Sequence, residues 1–321
     1  MNLWKLSFSL RKLAGFVAIL IAVNLAAYGV AAAGTPTVAI LHPDVQDPFL
    51  NVFMEITEGI EDGLQQPARR YPVRDGDTPQ SIAAQLKNDQ IDAVICLGRV
   101  GLNYAKALAG TLPAIVGAII FSPSEDTQGL YGISMTPDPD IVFNHLRTLV
   151  PDVEEVTVVY NPTQKNWEIS QAEKAAAKYH LTLNAYPAYD IRASAQHYRN
   201  VLLELKGGSI SIWLPRDNIA MDEQALLPVV LREAWEKSFV IFSGNLEHVR
   251  KGALFSLFPN NVAMGRSLGI MALNHAKTRP HIEPLRDLLL AVNMRTAEHL
   301  GIKFTSEDRR KFDLTFPPPI P

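Results

Sequence analysis

From Thr37 onward, short apolar runs rich in Val and Ile alternate with longer stretches whose apolar residues recur every three or four positions. A short apolar run bounded by turn residues fits a buried strand, and the three-to-four repeat fits an amphipathic helix. Thr37–Leu41 is accordingly a strand, and Phe49–Leu64 a helix with Phe49, Phe53, Ile56, Ile60 and Leu64 on one face. Thr78 and Pro79 mark the next helix start, a capping hydroxyl before a first-turn proline, with Ile82 and Leu86 following at helical spacing. Ala93–Leu97 and Ala114–Ile120 read as strands on either side of a short helix, Leu102–Leu108. Repeated βα units predict a mostly parallel sheet covered by helices on both faces.

After the turn-rich stretch Ser122–Gly129 and the segment Tyr131–Pro139, the alternation begins again. Helices are expected at Ile141–Leu149, Ile169–Tyr179, Ala193–Leu205 and Glu223–Lys237, and strands at Glu155–Tyr160, Thr182–Tyr186, Ser209–Leu214, Phe239–Phe242 and Ala253–Phe258. A helix Val262–Ala276, a loop Lys277–Glu283, a strand Leu288–Asn293 and a helix Thr296–Leu300 end the core. The terminal Phe316-Pro317-Pro318-Pro319 is extended and unable to join a sheet interior. Two βα series without a disordered linker between them predict two similar lobes, not two independent domains.

The residues before Thr37 change the compartment. Lys5, Arg11 and Lys12 precede an apolar run from Phe16 to Ala27, and Ala31-Ala32-Ala33 stands before Gly34. That order is the pattern of a secretory signal cleaved after Ala33; the competing reading is an uncleaved anchor, which Asn24, Tyr28 and Gly29 weaken. Removing the first 33 of 321 residues leaves 288, enough for two lobes. The single cysteine, Cys96, lies inside an apolar run, so no intrachain disulfide forms, and none lies near the cleavage site to carry a lipid. The chain therefore reads as a freely diffusing periplasmic protein. A net charge of −3 with both signs scattered gives no electrostatic case for nucleic acid or an anionic membrane.

In open parallel sheets a ligand sits beyond the carboxyl ends of the strands, which makes the residues after each apolar run the informative ones. These are His42 with Asp44–Phe49, Gly98–Gly101, Phe121 with Ser122, Asn161 with Thr163, Pro215–Asn218, Ser243–Asn245 and Pro259–Asn261. Gly98-Arg99-Val100-Gly101 leads into a helix, where unpaired amides attract an anion, and Arg99 adds a forked donor. Arg216 holds the matching position in the second series. Asp217 and Asn218 follow the run Ile210–Leu214 and present an acid and an amide; the alternative is an Asx turn capping the next helix. No nucleophile elbow, zinc-protease motif, paired cysteines or phosphate-binding loop is present, and no two of the eight histidines have metal-ligand spacing. Neither a catalytic residue, a metal nor a cofactor is expected.

Four stretches carry a family resemblance: Val153–Pro162 (VEEVTVVYNP), Ile212–Asn218 (IWLPRDN), Gly252–Leu257 (GALFSL) with Met264-Gly265, and Val292–Ile302 (VNMRTAEHLGI). From Thr37 to about Lys311 the chain resembles the substrate-binding proteins of ABC transporters, with the type I periplasmic-binding-protein fold of the TrpX-like subgroup. The resemblance implies an α/β molecule of two doubly wound parallel-sheet lobes joined by a three-stranded hinge. With the signal peptide read at 1–33, the expected division is an N-terminal lobe at 35–134 plus 259–284 and a C-terminal lobe at 135–258 plus 285–321. The resemblance also implies that Gly98–Gly101, Asn161, Asp217, Asn218 and Ser243 line an interlobe cleft.

Arg99 and Val100 stand where the family commonly has a small residue and Thr or Ser. Asn260 and Asn261 stand where it has an acid after Gly. These departures turn the expected ligand from an amino acid to a small polar or anionic molecule, passed by a monomer to an ABC permease and ATPase in the inner membrane. Two other functions remain open: a ligand-sensing module for a membrane receptor, and a periplasmic enzyme using Asp217 or Asp47.

Overall fold

A computed structural model describes residues 36–47, 49–204 and 209–318; the leader read at 1–33, with its cleavage site, lies outside the described residues. The first series comprises β1 (Val38–Pro43), α1 (Phe49–Leu64), β2 (Arg69–Val73), α2 (Pro79–Asn88), β3 (Ala93–Leu97), α3 (Gly98–Leu108), β4 (Ala114–Gly117) and β5 (Tyr131–Pro137). The second comprises α4 (Pro139–Leu149), β6 (Glu155–Tyr160), α5 (Pro162–Lys178), β7 (Thr182–Pro187), α6 (Ile191–Glu204), β8 (Ile210–Leu214), α7 (Leu227–Lys237), β9 (Val240–Ser243), α8 (Leu246–Lys251) and β10 (Phe255–Pro259). The chain then returns through α9 (Asn261–Asn274) and β11 (Ile282–Leu285). It ends with β12 (Leu288–Asn293), α10 (Met294–His299), α11 (Ser306–Arg309) and β13 (Leu314–Phe316).

Two sheets result. The first has strand order β11-β5-β4-β3-β1-β2 and the second β13-β12-β10-β9-β8-β6-β7. Every neighbouring pair is parallel except β10 with β12. Each sheet is covered on both faces: Val38 and Ile40 pack into one core while Ala39 and Leu41 pack into another, and Trp213 points away from Ile212 and Leu214 in the same manner. Full burial on both sides explains why these strands read as continuous apolar runs instead of alternating ones.

Helices α1 and α9 cover one face of the first sheet at unusually close range. A methyl carbon placed on Gly59 would lie 2.0 Å from the Val262 carbonyl oxygen, and one on Gly265 would lie 2.1 Å from that of Ile56. Gly63 and Gly269 continue the seam, so the two backbones touch where side chains would normally separate them. Arg266 pairs with Asp62 and Asn261 with Glu55 along its edge.

Several boundaries differ from the sequence expectation. Phe49 is 67% exposed, whereas Ile56, Ile60 and Leu64 of the same helix are buried in the core of the first sheet. Strand β2 escapes notice because Arg69, Arg70 and Pro72 break its apolar pattern at the sheet edge. The segment Tyr131–Pro137 is strand β5, paired with β4 and β11; β11 begins at Ile282, in the last two residues of the expected loop, and Leu314–Phe316 adds the edge strand β13. The short helix α8 follows β9, where no element was expected. Helix α3 starts at Gly98, and α7 starts at Leu227, four residues after Glu223. Helix α5 starts seven residues earlier than its apolar spacing implies, since Lys165 and Glu168 occupy inward positions that a core-facing stripe reserves for apolar residues.

The chain passes between the sheets three times, after Pro137, after Pro259 and between Leu285 and Leu288. These crossings are tied together. The Asp138 N–H donates to the Leu285 carbonyl at 2.8 Å, and the Asn260 N–H donates to that of Asp287 at 2.9 Å.

Candidate functional site

The carboxyl ends of both sheets carry the candidate residues, and the structure divides them into exposed and locked groups. On the first sheet, His42 is half-buried, with Nδ1 3.0 Å from the Pro43 carbonyl. Gly98 opens α3 with φ of +73°, and a methyl carbon on Gly101 would strike the Cys96 backbone at 2.6 Å, so both glycines hold the helix start against β3. Arg99 and Val100 are exposed on that first turn. No side chain caps the turn, which leaves its amides as the anion-attracting group that the sequence implied. Phe121 is instead a core residue of this sheet, its N–H donating to Ser134 Oγ, and Ser122 is half-buried with its carbonyl accepting from Thr127.

On the second sheet the candidates are largely engaged in shaping loops. Asn161 is an N-cap, its Oδ1 accepting from the Thr163 N–H at 3.0 Å. Asp217 Oδ2 accepts from the Asn161 N–H at 2.6 Å, while Oδ1 accepts from the amides of Ile219 and Ala220. One carboxylate thus clamps the loop after β8 to the loop after β6. Thr163, Arg216 and Asn218 are exposed beside it. Ser243 is buried; its Oγ accepts from the Asn245 N–H and lies 2.8 Å from His248 Nδ1 and 3.0 Å from the Leu214 carbonyl. His248 Nε2 lies 2.6 Å from Glu223 Oε1. Burial pushes His248 below the usual imidazole range, while its bonds to Lys251 and His248 hold the Glu223 carboxyl below its own usual range against the opposing effect of burial. The single Ser243 hydroxyl proton goes to the Leu214 carbonyl, and the hydroxyl oxygen faces His248 Nδ1.

One feature of this end escaped the sequence reading. Every buried Asp, Glu, Lys and His among the described residues lies here: Asp138 after β5, Lys165 and Glu168 in the first turns of α5, Asp217 after β8 and His248 after β9. Charged side chains are rarely buried, and their collection beyond the carboxyl ends of β5, β6, β8 and β9 points to a site more strongly than any single loop does. Lys165 Nζ lies 2.8 Å from Glu168 Oε2, both side chains being 5% exposed. The available signal was two charges at the first inward positions of a helix whose later inward positions are Ile169, Ala172, Ala175 and Ala176.

Glu168 also lines a small cavity of about 10 Å³ with Pro137, Val142, Trp213, Ser243, Gly244 and Leu257. The aromatic series Trp213, Phe242 and Phe255, stacked with interplanar angles of 3°, backs it. Larger cavities of about 430, 630 and 670 Å³ lie at the opposite, amino ends of these strands, among residues such as Phe239, Val240 and Gly252. Among the described residues no cluster of three or more His, Cys, Asp or Glu could hold a metal ion, and no helix is long and apolar enough to cross a membrane.

Residues 53–308 match a family model described as ABC transporter substrate binding protein. No curated protein matches the chain. Among solved structures, it is similar to the ligand-free, open form of CD0873, a substrate binding protein with adhesive properties from Clostridium difficile. The identity is 17%, the coverage 87% of this chain and 98% of the other, and the TM-score 0.59. An ABC domain from Streptococcus pneumonia in complex with L-Trp shares 19% identity over 88% of this chain and 100% of that one, with a TM-score of 0.50.

Proposed function

Because the chain belongs to the ABC transporter substrate-binding protein family, we propose that it captures a small polar solute between two lobes and delivers it to a permease and ATPase of the inner membrane. The observation that carries this reading is the joining of two doubly wound parallel sheets by three adjacent crossings. Such a connection lets two bodies rotate about a narrow waist. The candidate loops, at the carboxyl ends of the strands, are the place where open parallel sheets take ligands.

In this mechanism the protein does no covalent chemistry. A solute that touches both lobes binds the closed form more tightly than the open one and shifts the population by that difference. The permease then reads the closed form. His42, Arg99 and Val100 supply first-lobe contacts; Thr163, Arg216 and Asn218 supply second-lobe contacts on loops held by Asn161, Asp217 and Ser243. The basic and apolar leader directs the chain to the periplasm, where it works as a diffusing monomer.

The expectation of an anionic solute rested on Arg99 and Val100 and on Asn260 and Asn261 standing in place of an acid, with Arg216 as a second cation. Both arginine side chains are exposed, whereas the buried charges of this end are mostly carboxylates. They favour a polar solute over an anionic one. Mass spectrometry of compounds extracted from the purified protein should find a retained small molecule, and adding that compound back should reduce the radius of gyration in solution scattering. An unchanged scattering curve with saturating compound would overturn capture by closure.

A further inference from the structure

Two buried side-chain polar atoms among the described residues lack a hydrogen bond, and one of them is Glu168 Oε2. Lys165 Nζ sits 2.8 Å from that oxygen as a charge partner but does not approach along a hydrogen-bonding direction. A buried carboxylate held in this way is expensive, because desolvation is offset only by good geometry and by filling of the remaining lone pairs. The same side chain lines the cavity of about 10 Å³ under the first crossing, a space matching one water-sized group.

The surrounding charge sets the sign of what fits there. Three buried carboxylates, Asp138, Glu168 and Asp217, stand at this end of the strands against one buried ammonium, Lys165. Asp217 is satisfied by three backbone amides, and Asp138 by Arg286 and by the Asp140 N–H. Glu168 is the carboxylate with an acceptor site still open. A cation completes it, whereas an anion placed there meets a region that is already net negative.

Resting on the reading of interlobe capture, we infer that Glu168 Oε2 receives a positively charged nitrogen of the solute, and that the protein's ligand is a cationic amine. A charge-assisted hydrogen bond to a buried carboxylate then supplies the discrimination. Lys165 holds the carboxylate in place while the site is unfilled, and competes with the ligand for the same oxygen.

Calorimetric titration of the purified full chain, dialysed free of retained solute, tests this with compounds of one length: putrescine, 4-aminobutyrate, 1,4-butanediol and succinate. Spermidine serves as a further cation. At least one cation should bind tenfold or more tightly than the butanediol and succinate probes. Glu168→Gln should weaken that cation by about ten- to a hundredfold, the range of a charged hydrogen bond. Lys165→Met, measured at pH 8, should tighten it, with circular dichroism verifying the fold of both variants. A purely structural pair would give the same direction in both variants, or no change in either, and that result would overturn the assignment. If no cation binds but another probe does, the ligand class falls while capture stands. If nothing binds and extraction yields no retained compound, both fall.

Discussion

Arg286 Nη1 lies 3.0 Å from Asp138 Oδ2, joining the third crossing between the sheets to the first. The carboxylate is buried and the guanidinium exposed. Burial raises the Asp138 carboxyl above its usual range, against the lowering effects of the Asp140 amide and Arg286. Solvent screening on the arginine side keeps the pair weak, so a double-mutant cycle of Asp138→Asn and Arg286→Ala should give a coupling below about 1 kcal/mol in denaturant unfolding. The same variants should widen the distribution of interlobe distances measured between paired spin labels. A coupling of several kcal/mol would mean that the pair is a structural staple, not a soft tether at the crossing.

Gly265→Ala tests the contact between α1 and α9. The added methyl group meets the Ile56 carbonyl at 2.1 Å, backbone against backbone, and no rotamer change relieves it. Overpacking of this kind costs about 1–3 kcal/mol or more, so the melting temperature should fall by several degrees. An unchanged melting curve would show that the helices are free to separate.

Tyr198 offers a gain. Its ring is buried among Val159, Val201 and Leu214, and its hydroxyl has no hydrogen-bond partner. Burial, with the Asp217 charge adding to it, raises the phenol well above its ordinary value and keeps it neutral. Tyr198→Phe removes an unsatisfied buried group and should stabilise the protein by about 1 kcal/mol in urea unfolding. Destabilisation would point to a partner for the hydroxyl in solution.

Two histidines should titrate in opposite senses. Burial lowers His248 below its ordinary 6.5, so as pH falls the unfolded chain takes up the proton first. The stability that neutral His248 contributes is present above about pH 6.5 and is lost as pH drops through 6.5 toward the folded value. His281 is raised, by the Arg279 carbonyl first and by Glu283 in support, against the lowering effect of partial burial. Its contribution is complete below 6.5 and is lost as pH rises through the folded value, and its exposure keeps it small. Proton NMR of the ring Cε1–H signals should place His248 below 6.5 and His281 above it; the reverse order would refute both environments.

Cys96 should behave as an inert side chain. Burial pushes its thiol up to about 12. A thiol reagent at pH 8 should therefore label it only after denaturant is added, and rapid labelling of the native protein would contradict its place in β3.

Runs such as Ala93–Leu97 and Ile210–Leu214 identified the central strands, because burial on both faces leaves a signal that length and β-branching make unambiguous. The edges were less legible: β2 and β13 pair on one side, so their sequences are free to carry Arg, Pro and Thr. At the ligand end the difficulty was chemical. Asn161, Asn245 and Asn260 all follow strands, and all proved to cap helices, a role that uses the same side chain a ligand would use. Glu168 was hidden for the opposite reason. A carboxylate one turn from Lys165 looks like a solvated surface pair until the packing of α5 turns it inward.

The glycine seam also orders events during synthesis. Residues 49–64 emerge long before residues 261–274, and the helix that completes their packing is made only after most of the second sheet. The earlier portion must wait, its apolar face uncovered, while some two hundred residues are added. A pairing so distant along the chain is slow to close and vulnerable to aggregation, which gives this protein a physical reason to remain unfolded until translation is nearly finished.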